Sequence, residues 1–159
     1  MTPYADTNFL TRVYLEMPQS DAVLELETEA RLRGAEPLPL TWLHPIELCN
    51  ALQLRVFQGR DPAHLRVTPE QAAAAWAMFR EDVDSQRRFQ PASVSIADLT
   101  RQFEELSLRH TARHGFRTYD LMHVAFALLL ECDTFWSFDA KASRLAALEG
   151  LKIPRALKS

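Results

Sequence analysis

Short apolar segments alternate along the chain with longer stretches of helical periodicity, and this alternation limits the fold more than any other feature. We interpret residues 2–5, 37–42 and 134–138 as strands and residues 89–92 as an edge strand or an extended linker, with a last extended piece at 152–154. Helices are predicted between them: one from near residue 9, one ending near residue 58, and others at 21–33, 69–82, 95–114, 119–130 and 140–148. A strand, a helix and another strand nearly always form a right-handed parallel unit. We therefore predict an α/β fold, a three-layer α/β/α sandwich with a central parallel sheet of four to five strands.

Length and charge narrow the class of protein further. The 159 residues are 47% hydrophobic and 25% charged, which predicts a single folded domain over residues 1–159 and excludes intrinsic disorder. A net charge of −3 excludes the strongly positive field of a nucleic-acid coat protein, so any polyanion would be held locally. Charged residues interrupt the N-terminal apolar residues, and the longest apolar run, 124–130, is too short to span a bilayer. We expect no membrane association and a cytoplasmic location.

Four acidic residues lie near the predicted carboxyl ends of strands, where parallel sheets usually bind ligands. Asp6 and Asp139 end the first and last predicted strands, Glu47 lies early in the helix after the second strand, and Asp120 opens the helix before the last strand. Sites in open parallel sheets form at the carboxyl ends of strands, so all four can meet at one edge. Taken singly, each has an ordinary explanation: helix capping for the three aspartates and solvent exposure for Glu47. Together, clustered carboxylates repel one another unless a cation neutralises them, and oxygen ligands suit Mg²⁺ or Mn²⁺.

These acids lie within motifs that resemble a known family. The motifs are Asp6-Thr7-Asn8, the mid-chain Glu47, Asp120-Leu121-Met122-His123 followed by Ala125 and Ala127, and Ser137-Phe138-Asp139. In order and spacing they resemble the PIN-domain nucleases, and among these the VapC-type toxins of bacterial toxin–antitoxin pairs. The resemblance covers nearly the whole chain.

The chain departs from the family pattern in three places. Pro3 and Tyr4 stand where an aliphatic run is usual, Ser137 stands where threonine is commoner, and residues 58–94 form a longer segment than in the leanest toxins. None of these departures removes a carboxylate.

The resemblance implies a PIN-like fold and the hydrolysis of RNA phosphodiester bonds. Magnesium, or manganese, would be held by Asp6, Asp120 and Asp139, with Glu47 binding directly or through water. As partners it implies an RNA substrate, a cognate antitoxin that presents a basic residue to the acidic groove, and a second copy of the chain in a homodimer.

Three side chains are candidates for supporting these acids. Asn8 can orient Asp6 or a water molecule, Ser137 can do the same for Asp139, and His123 lies one turn after Asp120. The alternatives are a helix cap for Asn8, a plain hydroxyl at a strand end for Ser137, and a packed, hydrogen-bonded histidine.

A basic cluster precedes Asp120 and is the candidate for RNA binding. It contains Arg109, Arg113 and Arg117, of which Arg113 and Arg117 are preferred. The alternative is a solvated helix face whose arginines form ordinary ion pairs with neighbouring glutamates.

Two other functions remain open at the level of sequence. A phosphatase of the haloacid dehalogenase type also begins with a strand that ends in aspartate, but it requires a second aspartate where Asn8 stands. A PIN scaffold that binds RNA or protein without cutting usually lacks one of the acids, and here all four are present.

Overall fold

The computed structural model describes residues 2–157, and its helices and strands follow the predicted order. The strands are β1 (Pro3–Ala5), β2 (Leu38–Leu40), β3 (Phe89–Pro91) and β4 (Thr134–Trp136). The helices are α1 (Thr7–Tyr14), α2 (Ser20–Leu32), α3 (Leu43–Gln58), α4 (Pro69–Ser85), α5 (Ile96–Leu106), α6 (Ala112–His114), α7 (Thr118–Leu129) and α8 (Ala140–Leu148). A π-helical turn, Ser107–Thr111, joins α5 to α6, and a 3₁₀ turn, Arg155–Leu157, follows α8.

The parallel strands β1 and β4 lie at the centre of the molecule. Tyr4 pairs with Phe135 and Ala5 pairs with Trp136, so the first and last strands of the chain are neighbours. The backbone N–H of Asp6 donates to the carbonyl of Trp136 over 3.0 Å and extends this pairing by one residue. Asp6 is therefore fixed at the carboxyl end of β1. Beyond β4, Lys152 forms a single parallel bridge with Thr134.

The second pair of strands, β2 and β3, is also parallel, with Leu38 opposite Phe89. Residues 89–91 thus form a strand rather than a linker. The hydrogen-bonded ladder does not continue from β1 to β2. Instead, the Nε2–H of His44 donates to the carbonyl of Ala5 over 2.9 Å. This buried histidine satisfies a backbone acceptor at the break between the two pairs.

Helices cover both faces of β1 and β4. Successive side chains in a strand point to opposite faces, so Tyr4 and Phe135 pack on one side and Ala5 and Trp136 on the other. The first side is completed by apolar residues of α5, α7 and α8, and the second by those of α1, α2, α3 and α4. This arrangement gives the predicted three layers. No helix within residues 2–157 is both long and apolar enough to cross a membrane.

Candidate active site

A cleft of about 260 Å³ lies at the carboxyl ends of β1 and β4, and all four predicted acids line it. Asp6 and Asp139 come directly from the sheet edge, Glu47 from α3 and Asp120 from the first turn of α7. Eight further residues complete the lining: Thr7, Asn8, Thr11, Ala51, Arg55, Arg117, Tyr119 and His123. Segments up to 133 residues apart thus converge on one depression, as the sequence pattern predicts.

The three aspartates orient themselves by binding the backbone at helix starts. Asp6 Oδ1 accepts the N–H of Phe9 over 2.8 Å, and Asp139 Oδ1 accepts the N–H of Lys141 over 2.8 Å. Asp120 Oδ2 accepts the backbone N–H of Arg117, three residues earlier, over 3.2 Å. The sequence left helix capping and a place in the cleft as alternative roles for these aspartates, and the structure combines the two. In each aspartate one carboxylate oxygen binds the backbone at a helix start, and the side chain also lines the cleft.

Asp6 is the most deeply placed of the four acids, with 4% of its surface exposed. Burial raises the pKa of Asp6 to about 6, although the charge of His123 and the hydrogen bonds from Ser137 and Phe9 act in the opposite direction. Within residues 2–157 no lysine or arginine side chain hydrogen-bonds this carboxylate. A cation in the cleft would stabilise its charged form.

Glu47 is held by two side chains that contact the same oxygen. Its Oε2 accepts from the hydroxyl of Thr7 over 2.7 Å and from Nε2 of His123 over 2.5 Å. Burial alone would raise the pKa of Glu47, but the hydrogen bond and charge of His123 and the hydrogen bond of Thr7 outweigh it, so the pKa lies below its usual value. Glu47 is therefore an ionised carboxylate at neutral pH.

Arg117 spans two of the acids at the open side of the cleft. Its Nη2 lies 2.8 Å from Oδ2 of Asp139, and its Nε lies 3.2 Å from Oδ2 of Asp120. These contacts, led by the hydrogen bond to Asp120, raise the pKa of Arg117 above its usual value. The guanidinium side chain is 65% exposed. It therefore neutralises the two acids from the solvent side.

The carboxylates fit a divalent cation in chemistry, but their present arrangement does not form a complete site. Among residues 2–157, no three Asp, Glu, His or Cys side chains are arranged so that they can share one metal ion. The donor set nonetheless consists of hard carboxylate oxygens, which Mg²⁺ and Mn²⁺ prefer. A buried acid with a raised pKa, Asp6, lies among them. Arg117 is paired with both Asp120 and Asp139, so these contacts would have to loosen before the two carboxylates could help to hold a metal ion.

The predicted supporting residues divide into two groups. His123 lies in the cleft beside Glu47. Ser137 accepts the backbone N–H of Asp139 over 2.9 Å and also supports Asp6 as a hydrogen-bond partner. Asn8 lines the cleft, but its Oδ1 accepts from Arg12 over 2.9 Å. Asn8 is therefore engaged by its own helix rather than by Asp6.

The basic cluster proposed for RNA binding is not brought to the cleft as a unit. Only Arg117 lines it. Arg109 binds both oxygens of Glu149 over 2.9 Å, and His110 contacts the same carboxylate. Arg113 is exposed and lies outside the cleft lining. The alternative of an ordinary ion pair therefore describes Arg109, although its partner comes from the end of α8 and not from α5.

Four residues at the site have a role that the sequence did not indicate. Arg55, Tyr119 and Thr7 line the cleft. Thr7 also hydrogen-bonds Glu47, and Tyr4 hydrogen-bonds His123. Arg55 had a usable signal, because positions four and eight residues after Glu47 lie on the same helix face. The contacts of Tyr4 and Thr7 join positions more than 39 residues apart, and no local pattern indicates them.

Comparison with known proteins shows a likeness in structure rather than in sequence. No family model matches the chain, and no curated protein matches it either. Among solved structures, it is similar to VapC20 of Mycobacterium tuberculosis, a toxin that cleaves the sarcin-ricin loop, with a TM-score of 0.57 and 15% sequence identity. The match covers 89% of this chain and 93% of that chain. It confirms the expected fold class: the chain has a PIN-like α/β/α fold.

Proposed function

We propose that this protein is a metal-dependent endoribonuclease that hydrolyses RNA phosphodiester bonds and serves as the toxin of a VapBC-type toxin–antitoxin pair. The observation that carries the proposal is the cleft in which four acids from four separate segments meet: Asp6, Glu47, Asp120 and Asp139. The PIN-like fold and its likeness to an RNA-cleaving toxin support the assignment to RNA.

The residues proposed to hold the cation are Asp6, Asp120 and Asp139, with Glu47 acting directly or through water. A bound Mg²⁺ or Mn²⁺ would supply Lewis acidity, which activates water and stabilises the negative charge that develops at phosphorus. Asp6 and Asp139 keep fixed orientations because each caps a helix. Glu47 stays ionised because Thr7 and His123 bind its Oε2.

Positive charge at two places along the cleft supports the binding of an RNA backbone. Arg117 lies at the start of α7, and Arg55 lies two turns beyond Glu47 on α3. Arginine binds phosphate well because its planar fork of donors matches two oxygens. We assign phosphate contacts to Arg55 and Arg117, and a more distant one to the exposed Arg113. Arg109, paired with Glu149, has no such role in this proposal.

The partner proposals follow from the same cleft. The guanidinium of Arg117 binds Asp120 and Asp139, so these two acids can accept an arginine side chain. This supports the proposal of an antitoxin that presents a basic residue to them. A homodimer and a cytoplasmic location belong to the proposal as well, as does the treatment of residues 1–159 as one domain. Sedimentation of the purified chain tests the dimer.

A PIN scaffold that binds without cutting is the second candidate, and one observation favours it. Arg117 neutralises two of the acids, and within residues 2–157 no three ligands are arranged to share a metal ion. The phosphatase alternative has no such support, because Asn8, where a second aspartate would be needed, is bound to Arg12.

Cleavage of RNA by the purified chain separates these functions. We expect cutting with Mg²⁺ or Mn²⁺, products with 5′-phosphate and 3′-hydroxyl ends, and no cutting with chelator. Asp6→Ala and Asp120→Ala should remove the activity, whereas Asp84→Ala, an exposed acid at the end of α4, should retain it. RNA that is bound but never cut would support the scaffold. Cutting that persists with chelator or in both cleft variants would refute the nuclease mechanism.

A further inference from the structure

Tyr4, His123 and Glu47 form a continuous chain of hydrogen bonds that runs from β1 into the cleft. The hydroxyl of Tyr4 lies 2.9 Å from Nδ1 of His123, and Nε2 of the same ring lies 2.5 Å from Oε2 of Glu47. Tyr4 is 0% exposed and His123 is 3% exposed. Water therefore has little access to these hydrogen bonds, and low-dielectric surroundings strengthen them.

The direction of these hydrogen bonds follows from the chemistry of the three groups. A phenol is a hydrogen donor at neutral pH, whereas a carboxylate can only accept. Two arrangements fit these contacts: Tyr4 donates to Nδ1 of the uncharged ring, or the Nδ1–H of the charged ring donates to the Tyr4 oxygen, and in both the Nε2 of His123 carries a proton that faces Glu47. The hydroxyl of Thr7 donates to the same Glu47 oxygen. Both donors thus engage Oε2 and leave Oε1 as the oxygen through which Glu47 can act in the cleft.

The packing around Tyr4 fixes the position of its hydroxyl. Tyr4 lies on β1, opposite Phe135 of β4, and the two rings stack at 5.8 Å with an interplanar angle of 7°. The ring of His44 lies 5.2 Å from Tyr4 and 5.4 Å from His123. A side chain held by a paired strand and by the rings of Phe135 and His44 is a rigid anchor for the imidazole of His123.

We infer that Tyr4 is a positioning residue of the proposed nuclease, which fixes the ring of His123 so that His123 and Thr7 hold Glu47 in a single orientation at the cation site. The inference rests on the proposed function and deepens it. Loss of the direct hydrogen-bonded partner of a ligand, here His123, typically changes metal affinity or activity by 10- to 100-fold, so we expect the loss of the Tyr4 hydroxyl, one hydrogen bond further out, to have an effect at the lower end of that range. Tyr4 acts through His123 and makes no contact with substrate in this scheme.

The experiment compares Tyr4→Phe with a matched control, Tyr14→Phe. Both changes delete one buried hydroxyl, and that of Tyr14 donates to Asp82 over 2.7 Å, outside the cleft. We expect Tyr4→Phe to weaken Mn²⁺ binding, measured by calorimetry, about ten-fold, and to lower kcat with KM for RNA unchanged. Tyr14→Phe should leave Mn²⁺ affinity and kcat at their original values. Thermal melting of both variants checks that each is folded at the assay temperature.

A double-variant cycle tests whether Tyr4 acts through His123. His123→Asn alone should weaken Mn²⁺ binding, and adding Tyr4→Phe to it should cause no further loss. Unchanged Mn²⁺ affinity in Tyr4→Phe would overturn the inference, and so would losses that add in the double variant.

Asp6→Asn in the same titration separates this inference from the proposed function. If Asp6→Asn removes Mn²⁺ binding while Tyr4→Phe leaves it intact, the positioning role alone is wrong. If Asp6→Asn binds Mn²⁺ as tightly as the original chain, the proposed cation site is wrong and the role of Tyr4 falls with it.

Discussion

The Nη2 of Arg117 lies 2.8 Å from Oδ2 of Asp139, so the chain's own guanidinium occupies space that a shared cation would need. The same side chain reaches Asp120 over 3.2 Å. A positive group that binds two proposed ligands competes with a metal ion for them. We therefore expect the contacts of Arg117 to lower the affinity of the cleft for a divalent cation.

Replacing Arg117 tests that competition. In Arg117→Gln we expect Mn²⁺ to bind about five-fold more tightly, because an exposed ion pair worth up to ~1 kcal/mol no longer opposes the ion. Isothermal calorimetry measures the affinity. Arg109→Gln is the matched control, since Arg109 pairs with Glu149 outside the cleft. Weaker binding in Arg117→Gln would show that Arg117 supports the ion rather than competing with it.

Two substitutions of Asp139 separate its capping role from its chemistry. Asp139 Oδ1 accepts the N–H groups of Lys141 and Ala142 at the start of α8. Asparagine caps a helix about as well as aspartate, whereas alanine does not, so Asp139→Asn should stay within ~0.5 kcal/mol of the original stability and Asp139→Ala should lose about 1 kcal/mol. Urea unfolding measures both. RNA cleavage should be lost in each variant, and a cleaving Asp139→Asn would remove Asp139 from the proposed cation site.

Arg55 offers a test of the RNA path along α3. It lines the cleft two turns after Glu47. In Arg55→Ala we expect weaker RNA binding and a salt dependence whose slope falls by roughly 0.7 to 1, because one phosphate contact is removed. Fluorescence anisotropy at several salt concentrations gives the slope. Arg101→Ala, which removes an exposed arginine paired with Asp98 outside the cleft, should not change it.

The buried His44 should make stability depend on pH. Burial, assisted by the positive charge of His123, lowers the pKa of His44 from 6.5 to about 3. As the pH falls through about 6.5, His44 takes up a proton in the unfolded chain but stays neutral in the folded chain. The contribution of His44 to the free energy of unfolding is therefore complete above that pH and decreases below it. Between about pH 7.5 and about pH 5 this residue should cost about 2 kcal/mol.

Denaturant unfolding of the original chain and of His44→Asn at both pH values isolates this contribution. The variant should be less stable at the higher pH, because the hydrogen bond to the carbonyl of Ala5 is lost. Its stability should nevertheless fall less on acidification. Equal falls in the two proteins would contradict a histidine that stays neutral in the folded state.

The sequence predicts the order of the strands and helices and the four acids that line the cleft, because these features depend on local patterns. Alternation, apolar periodicity and acids at segment ends are all readable within a few residues. The start of α1 is less well predicted: the sequence indicates a helix from near residue 9, whereas α1 begins at Thr7 and is capped by the side chain of Asp6. The difference is two residues in position. It arises because several neighbouring polar side chains can serve as caps.

The parts that could not be predicted depend on contacts between distant segments. Tyr4 meets His123 across 119 positions, and His44 meets Ala5 across 39. The first contact decides the orientation of Glu47, and the second fills the break between β1 and β2. The position of Arg109 outside the cleft could not be predicted for the same reason, since its ion-pair partner Glu149 lies 40 residues later in the chain. A single sequence carries no signal for such pairs.

The use of aspartate oxygens as helix caps has a consequence for how the cleft forms and how it can vary. Asp6 and Asp139 must satisfy the backbone with one oxygen while the other remains at the cleft, so the side chain has a fixed reach. A glutamate at either position would carry the same charge on a longer side chain. It could not both accept the backbone N–H and keep its carboxylate at the same place in the cleft. Fraying of either helix would also release its acid. The first turns of α1 and α8 therefore orient two of the four acids that line the cleft, so the order of these turns and the geometry of the cleft depend on each other.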